Sequence, residues 1–131
     1  MLKLYVGNKN YSSWSMRPWV AMTQTGIAFE EVYVRFDGFS ADSQFKQRMT
    51  GINPAGKVPV LQDGDLSVWD TLAIGEYLAE SFPDKNLWPV DKAARARARS
   101  ICAEMHSGFG GLRSQCPMNI GAHLPERGAL I

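Results

Sequence analysis

Leu2, Leu4 and Val6 alternate with Lys3 and Tyr5 at the start of the chain, the period of a strand that buries one face. Residues 29–35, Phe-Glu-Glu-Val-Tyr-Val-Arg, alternate again and are rich in β-formers, predicting a second strand. Between them a helix is expected over 15–25, with Pro18 in its first turn and Gly26 as its stop. A weaker pattern predicts a short helix over 42–49, and residues 53–57 read as loop. Strands at 58–62 and 66–69 flank Asp63-Gly64-Asp65, a strong hairpin signal. Leu72, Ile74, Leu78 and Phe82 fall near helical spacing and predict an amphipathic helix over 71–81, capped by Asp70 or Thr71. Residues 83–91 read as a proline-bounded linker. Beyond it, Asp91 caps one long helix over 92–116, weakened or bent by Gly108, Gly110 and Gly111 and ended by Pro117. Residues 119–131 show no periodicity and read as a linker or frayed tail.

A parallel strand pair joined by a crossover helix, then a helix, an antiparallel hairpin and a helix, is a thioredoxin-like α/β layout. The expected division is 1–82 for this domain, 83–91 for the linker and 92–131 for the start of an all-helical domain.

Composition narrows the classes. The 131 residues are 45% apolar, enough for a packed core, and carry a net charge of +1. That charge gives no electrostatic case for nucleic acid or an anionic membrane surface. Cys102 and Cys116 are the two cysteines, too few for a disulfide scaffold, so reduced thiols in a cytosol are expected. No run approaches a membrane span or a signal peptide. His106 and His123 have no partners at metal-ligand spacing, so no metal site is expected.

The chemistry concentrates in three short segments. Ser12-Ser13-Trp14-Ser15 occupies the turn before the first helix. A serine there can donate a hydrogen bond to a bound thiolate, and the helix start adds unpaired N–H groups and a positive dipole end. A free thiol near 8.5 is a few per cent ionised at neutral pH; lowering its pKa by about two units, worth roughly 2.7 kcal/mol, would ionise most of it. The same serines also suit a plain helix cap. Asn53-Pro54-Ala55-Gly56-Lys57-Val58-Pro59 places a proline at a strand entrance, where a cis bond would turn the chain sharply and expose the backbone N–H and C=O of Val58. Such an edge can pair with an extended peptide. Asp70-Thr71 opens the third helix and can cap it, bind an anion, or both.

Together these segments resemble the glutathione-binding half of the glutathione transferase family, over roughly residues 1–90 and more weakly to about 120. Ser12-Ser13-Trp14-Ser15-Met16-Arg17 is similar to the Ser-x-x-x-x-Arg motif of the serine-type classes, with Trp14 standing where the zeta class has a cysteine. The resemblance implies Ser12 as the residue that activates glutathione, with Ser13 second and Tyr11 third. It implies that Val58, beside Pro59, clamps the tripeptide backbone. Lys57 would meet the glycyl carboxylate, Thr71 the γ-glutamyl carboxylate and Asp70 the γ-glutamyl ammonium. His106 and Met105 are candidates for second-substrate or interface contacts. Serines at both positions of the Cys-x-x-Cys pair, 12 and 15, exclude dithiol chemistry at this turn. The implied activity is attack of the glutathione thiolate on an electrophilic small molecule, an isomerisation of a maleyl compound being one variant. The implied setting is a cytoplasmic homodimer, with glutathione as co-substrate. The alternative is a non-catalytic binding or dimerisation module, which the short, truncated-looking helical half favours.

Overall fold

The computed structural model describes residues 1–130. A four-stranded mixed sheet runs in the order β2-β1-β3-β4, built from β1 (Leu2–Val6), β2 (Phe29–Tyr33), β3 (Val60–Asp63) and β4 (Leu66–Trp69). β1 is parallel to β2 and antiparallel to β3, which pairs in turn with β4 across the Asp63–Leu66 hairpin. Helices α1 (Ser13–Thr25) and α3 (Thr71–Ser81) cover one face, and α2 (Gln44–Thr50) covers the other.

Strand alternation sorts the two cores. Leu2, Leu4, Val6 and Leu61 point toward α1 and α3, where they bury against Met22, Ile74 and Leu78. Val60 points the other way and packs with Val34, Phe45 and Met49, with Tyr5 and Phe36 at the edge. Each fully buried aliphatic side chain contributes about 2 kcal/mol of transfer free energy.

The boundaries differ from the sequence expectations in ways that have causes. α1 starts at Ser13 with Ser12 as its cap, not at residue 15, so Pro18 lies inside the helix. A proline there withholds the N–H that Trp14 C=O would accept; the Thr71 hydroxyl donates to that carbonyl instead, at 3.3 Å. β2 ends at Tyr33 rather than 35, with one further bond from Val34 N–H to Val6 C=O. α2 is displaced to 44–50 because Ser43 caps Lys46 N–H at 3.1 Å and the Asp37 carboxylate accepts from Gln44 and Phe45 N–H. β3 begins at Val60, since Pro59 has no N–H to enter the ladder.

The expected helix over 92–116 is two helices. α4 spans Lys92–Ser107 and α5 spans Gly110–Gln115. Gly108 turns extended, and a Cβ on it would lie 2.8 Å from the Glu104 carbonyl oxygen. Phe109 follows with φ 60. Arg113 of α5 folds back and donates to the carbonyls of Met105 and Gly108, satisfying groups that a helix end leaves open. The tail is not free at its beginning either. Ile120 N–H donates to Asn10 C=O at 3.2 Å, Gly121 N–H to Asn10 Oδ1 at 2.5 Å, and Asn10 Nδ2 to Asn119 Oδ1 at 2.8 Å. Among the described residues no helix is long and apolar enough to cross a membrane.

Candidate functional site

The largest concentration of the sequence-predicted residues is a cleft of about 440 Å³ lined by the loop before β3, the β4–α3 junction, α1 and α4. Lys57, Val58 and Pro59 line it together with Asp70 and Thr71, and Trp14 and His106 complete the lining. The Val58–Pro59 peptide is cis. Neither the N–H nor the C=O of Val58 bonds to another described residue, leaving a donor and an acceptor side by side for an extended ligand.

Asp70 is held in an uncommon conformation, φ 76 and ψ 135. Its Oδ1 accepts from Leu72 N–H at 3.1 Å as the cap of α3. Its Oδ2 lies 3.2 Å from Nε2 of His106, so α4 reaches across the cleft to the start of α3. His106 also meets the Trp14 ring edge-on, with centroids 5.0 Å apart, and its Nδ1 is buried with no partner among the described residues. Two guanidinium groups stand over the Trp14 ring: Arg17 lies 4.0 Å and Arg113 4.5 Å from its centroid. Partial burial and the nearby Arg113 charge both pull the Arg17 pKa down. Two cations on one indole fix its plane and tie α5 to α1. Thr71 gives its hydroxyl to the Trp14 carbonyl, while its backbone N–H donates to no described residue.

A second hollow shares Trp14, Lys57 and Val58 with the cleft and continues to Tyr11, Ser12, Ser13, Phe39 and Lys46. Ser13 opens α1, is half-buried, and its hydroxyl bonds to no described residue. Ser12 is 7% exposed. Its Oγ lies 2.8 Å from Ser15 Oγ and accepts from Ser15 N–H, while Gly7 N–H donates to Ser15 Oγ. The pair carries two hydroxyl protons and one mutual bond, so one proton has no acceptor within the pair. Lys46 donates to the carbonyls of Ala55 and Gly56, at 3.4 and 2.9 Å, and so straps down the loop that leads into Val58.

The structure thus brings Lys57, Val58, Pro59, Asp70, Thr71 and His106 to one cleft and Ser12 and Ser13 to the adjoining hollow. Met105 lines neither; its sulfur lies 3.6 Å from Arg113 Nη2. Sequence reading missed Lys46, Arg113 and the wall formed by Trp14. Only Trp14 carried a signal, as a large aromatic between two serines. Among the described residues no group of three His, Cys, Asp or Glu side chains gathers as for a metal.

A family profile described as the N-terminal domain of glutathione S-transferase matches residues 11–81. The chain is 40% identical to glutathione S-transferase F14 of Arabidopsis thaliana over 77 residues, covering 57% of this chain and 30% of that one. It is 35% identical to a probable maleylacetoacetate isomerase of Caenorhabditis elegans over 106 residues, covering 81% of this chain and 47% of that one. Among solved structures, a Burkholderia glutathione transferase homolog with bound glutathione superposes with a TM-score of 0.70 at 29% identity, covering 86% of this chain and 60% of that one. The chain spans half the length or less of the curated relatives it matches.

Proposed function

The chain belongs to the glutathione S-transferase family, and from that premise we propose that it binds glutathione in the Val58 cleft and activates its thiol for attack on an electrophilic small molecule. The observation that carries this reading is the unpaired Val58 backbone lining one cleft with Asp70 and Thr71. Glutathione is an extended tripeptide with two carboxylates and one ammonium. Val58 would pair with its central residue in the manner of an added strand. Asp70 would take the γ-glutamyl ammonium and the Thr71 N–H, at the start of α3, the γ-glutamyl carboxylate. Lys57 would meet the glycyl carboxylate, with Lys46 beside it.

The thiol would then lie at the start of α1. Ser13 and the spare proton of the Ser12–Ser15 pair are the two donors available to a thiolate there. The helix start adds its own positive end. A thiolate stabilised in this way adds to an electrophilic carbon; the Ser12-Ser13 opening and the isomerase relative support a maleyl substrate, in which addition, rotation and elimination return the thiol unchanged.

Calorimetric titration with glutathione tests the reading. Saturable binding is expected, weakened at least tenfold in Asp70→Ala and retained in Ser12→Ala and Ser13→Ala. The serine variants should instead lose the ultraviolet absorption of the bound thiolate. A folded chain that shows no binding would sink the proposal.

A second reading has its own support: Ile101, Phe109 and Leu112 on α4 and the α5 segment are each more than half exposed, and α4 contributes no buried residue. Apolar surface of that kind suits a homodimer contact. Sedimentation showing a dimer that Ile101→Glu dissociates, with glutathione binding absent, would favour a dimerisation module.

A further inference from the structure

Between the segment that leaves β2 and helix α2 lies a hollow of about 330 Å³, lined by Val34, Arg35, Asp37, Gln44, Phe45 and Arg48. Two backbone bonds fix its first side. Val34 N–H donates to Val6 C=O, and Phe36 N–H donates to Asn8 Oδ1 at 2.7 Å, so the chain is pinned on both sides of Arg35. Phe36 joins an aromatic cluster with Phe39 and Phe45, and its neighbours Arg35 and Asp37 line the hollow. Arg48 comes from the last turn of α2, which Phe45 and Met49 seat against Val34 and Val60.

The charges gathered there are not matched. The Asp37 carboxylate is already engaged: Oδ1 accepts from Phe45 N–H at 2.9 Å and Oδ2 from Gln44 N–H at 3.0 Å. Arg35 and Arg48 form no ion pair among the described residues. Elsewhere the guanidinium forks are satisfied: Arg95 on the Pro89 and Val90 carbonyls, Arg99 on Glu76, Arg113 on the Met105 and Gly108 carbonyls. Two like charges that share a hollow repel, and an anion between them relieves the repulsion. A guanidinium fork matches the paired oxygens of a carboxylate. The charge count sets the valence of the guest. Two arginines against Asp37 leave one positive charge, which one carboxylate neutralises, whereas a dianion would bring its second charge up to Asp37. The volume exceeds the roughly 150 Å³ of a cavity that takes up benzene, so a ring-sized body fits beside the carboxylate.

We propose that this hollow is a binding site for a small monocarboxylate with a ring-sized body, its oxygens held by Arg35 and Arg48 with the Gln44 carboxamide beside them. The glutathione reading uses none of these three side chains, and the site stands whether or not glutathione binds in the Val58 cleft.

The probes are benzoate, its neutral isostere benzamide, and inorganic phosphate, titrated into the full chain at constant ionic strength. NMR signals of the Arg35 and Arg48 Nε–H groups and of the Gln44 side-chain amide report occupancy. Benzoate is expected to saturate these signals about tenfold or more tighter than benzamide, and tighter than phosphate. Arg35→Gln and Arg48→Gln should each weaken benzoate by about fivefold or more; both side chains are exposed, so the fold should survive. Arg97→Gln removes an exposed arginine of α4 and should leave benzoate binding unchanged. The proposal is overturned if a folded chain shows no saturable shift at these groups, if the shifts fall at Lys57 and Val58 instead, or if benzamide binds as well as benzoate. It is overturned too if Arg97→Gln weakens benzoate as much as the other two variants, because the attraction would then be to positive charge in general. Phosphate binding tighter than benzoate would overturn the carboxylate assignment.

Discussion

Asp70 combines the carboxylate proposed to hold the γ-glutamyl ammonium with a backbone conformation that side chains rarely adopt, φ 76 and ψ 135. Such a conformation costs about 1–3 kcal/mol and persists where the surroundings enforce it. Glycine would remove the strain and remains a serviceable helix cap, a few tenths of a kcal/mol below aspartate. Alanine would keep the strain and lose the cap. Urea unfolding should therefore find Asp70→Gly within about 1 kcal/mol of the native chain and Asp70→Ala about 1–2 kcal/mol less stable. Calorimetry should find glutathione binding lost in both. Equal destabilisation in the two variants would show that the backbone carries no strain. Gly56 makes the converse case: its φ is 58, and a Cβ would sit 2.8 Å from the Thr50 methyl. Gly56→Ala should cost about 1–2 kcal/mol by urea unfolding and loosen the Lys46 strap over the loop into Val58.

Between elements, the joint most open to test is α3 with α4. Arg99 Nε and Nη2 each lie 2.9 Å from an oxygen of Glu76, a two-pronged pair, and the guanidinium stands 5.5 Å from the Trp88 ring centroid. The hydrogen bond from Arg99 holds the Glu76 carboxyl below its ordinary range. A group depressed on folding stabilises fully above its unfolded pKa, about 4.3 for a glutamate, and loses that contribution as pH falls from there through the folded one. Hydrogen exchange of α4 amides, read relative to β1, should rise below that pH in the native chain. In Glu76→Gln the extra acid sensitivity should vanish; if it persists, another carboxylate governs the joint. Elements of this kind were readable in sequence where one segment set its own boundary. The alternation of Leu2, Leu4 and Val6, the stop at Gly26 and the Asp63-Gly64 turn all reappear in the fold. The break at 108–109 was not readable, because an Ala/Arg-rich helix followed by glycines fits a bend as well as a stop. What decides it is Arg113 returning to the carbonyls of Met105 and Gly108. The cleft was legible as a set of residues but not as a geometry. Pro18 gave no sign that its missing N–H would commit the Thr71 hydroxyl, and nothing in the sequence pairs Asn10 with Asn119.

For the molecule as a whole, stability is unevenly distributed. Every buried apolar residue of the core lies between Leu2 and Leu78, in the sheet and its three helices or, for Ile27 and Val34, in the segments that join them. The 16 residues of α4 bury none. That helix is attached through Glu76–Arg99, through Asp70–His106, and through α5 by Arg113 on Trp14. Each contact is polar or cation–π and at least partly solvent-exposed, and contacts of that kind contribute little individually. Local opening follows the apolar burial that holds a segment down. Native-state hydrogen exchange should therefore show α4 and α5 amides opening at least about tenfold more readily than those of β1, β3 and the buried face of α3. Removing one attachment should widen the gap: His106→Ala should further lower α4 protection while leaving β1 and β3 unchanged. If α4 instead exchanges together with β1, only through global unfolding, the helical segment is a full member of the core, and its few contacts couple far more strongly than their exposure implies.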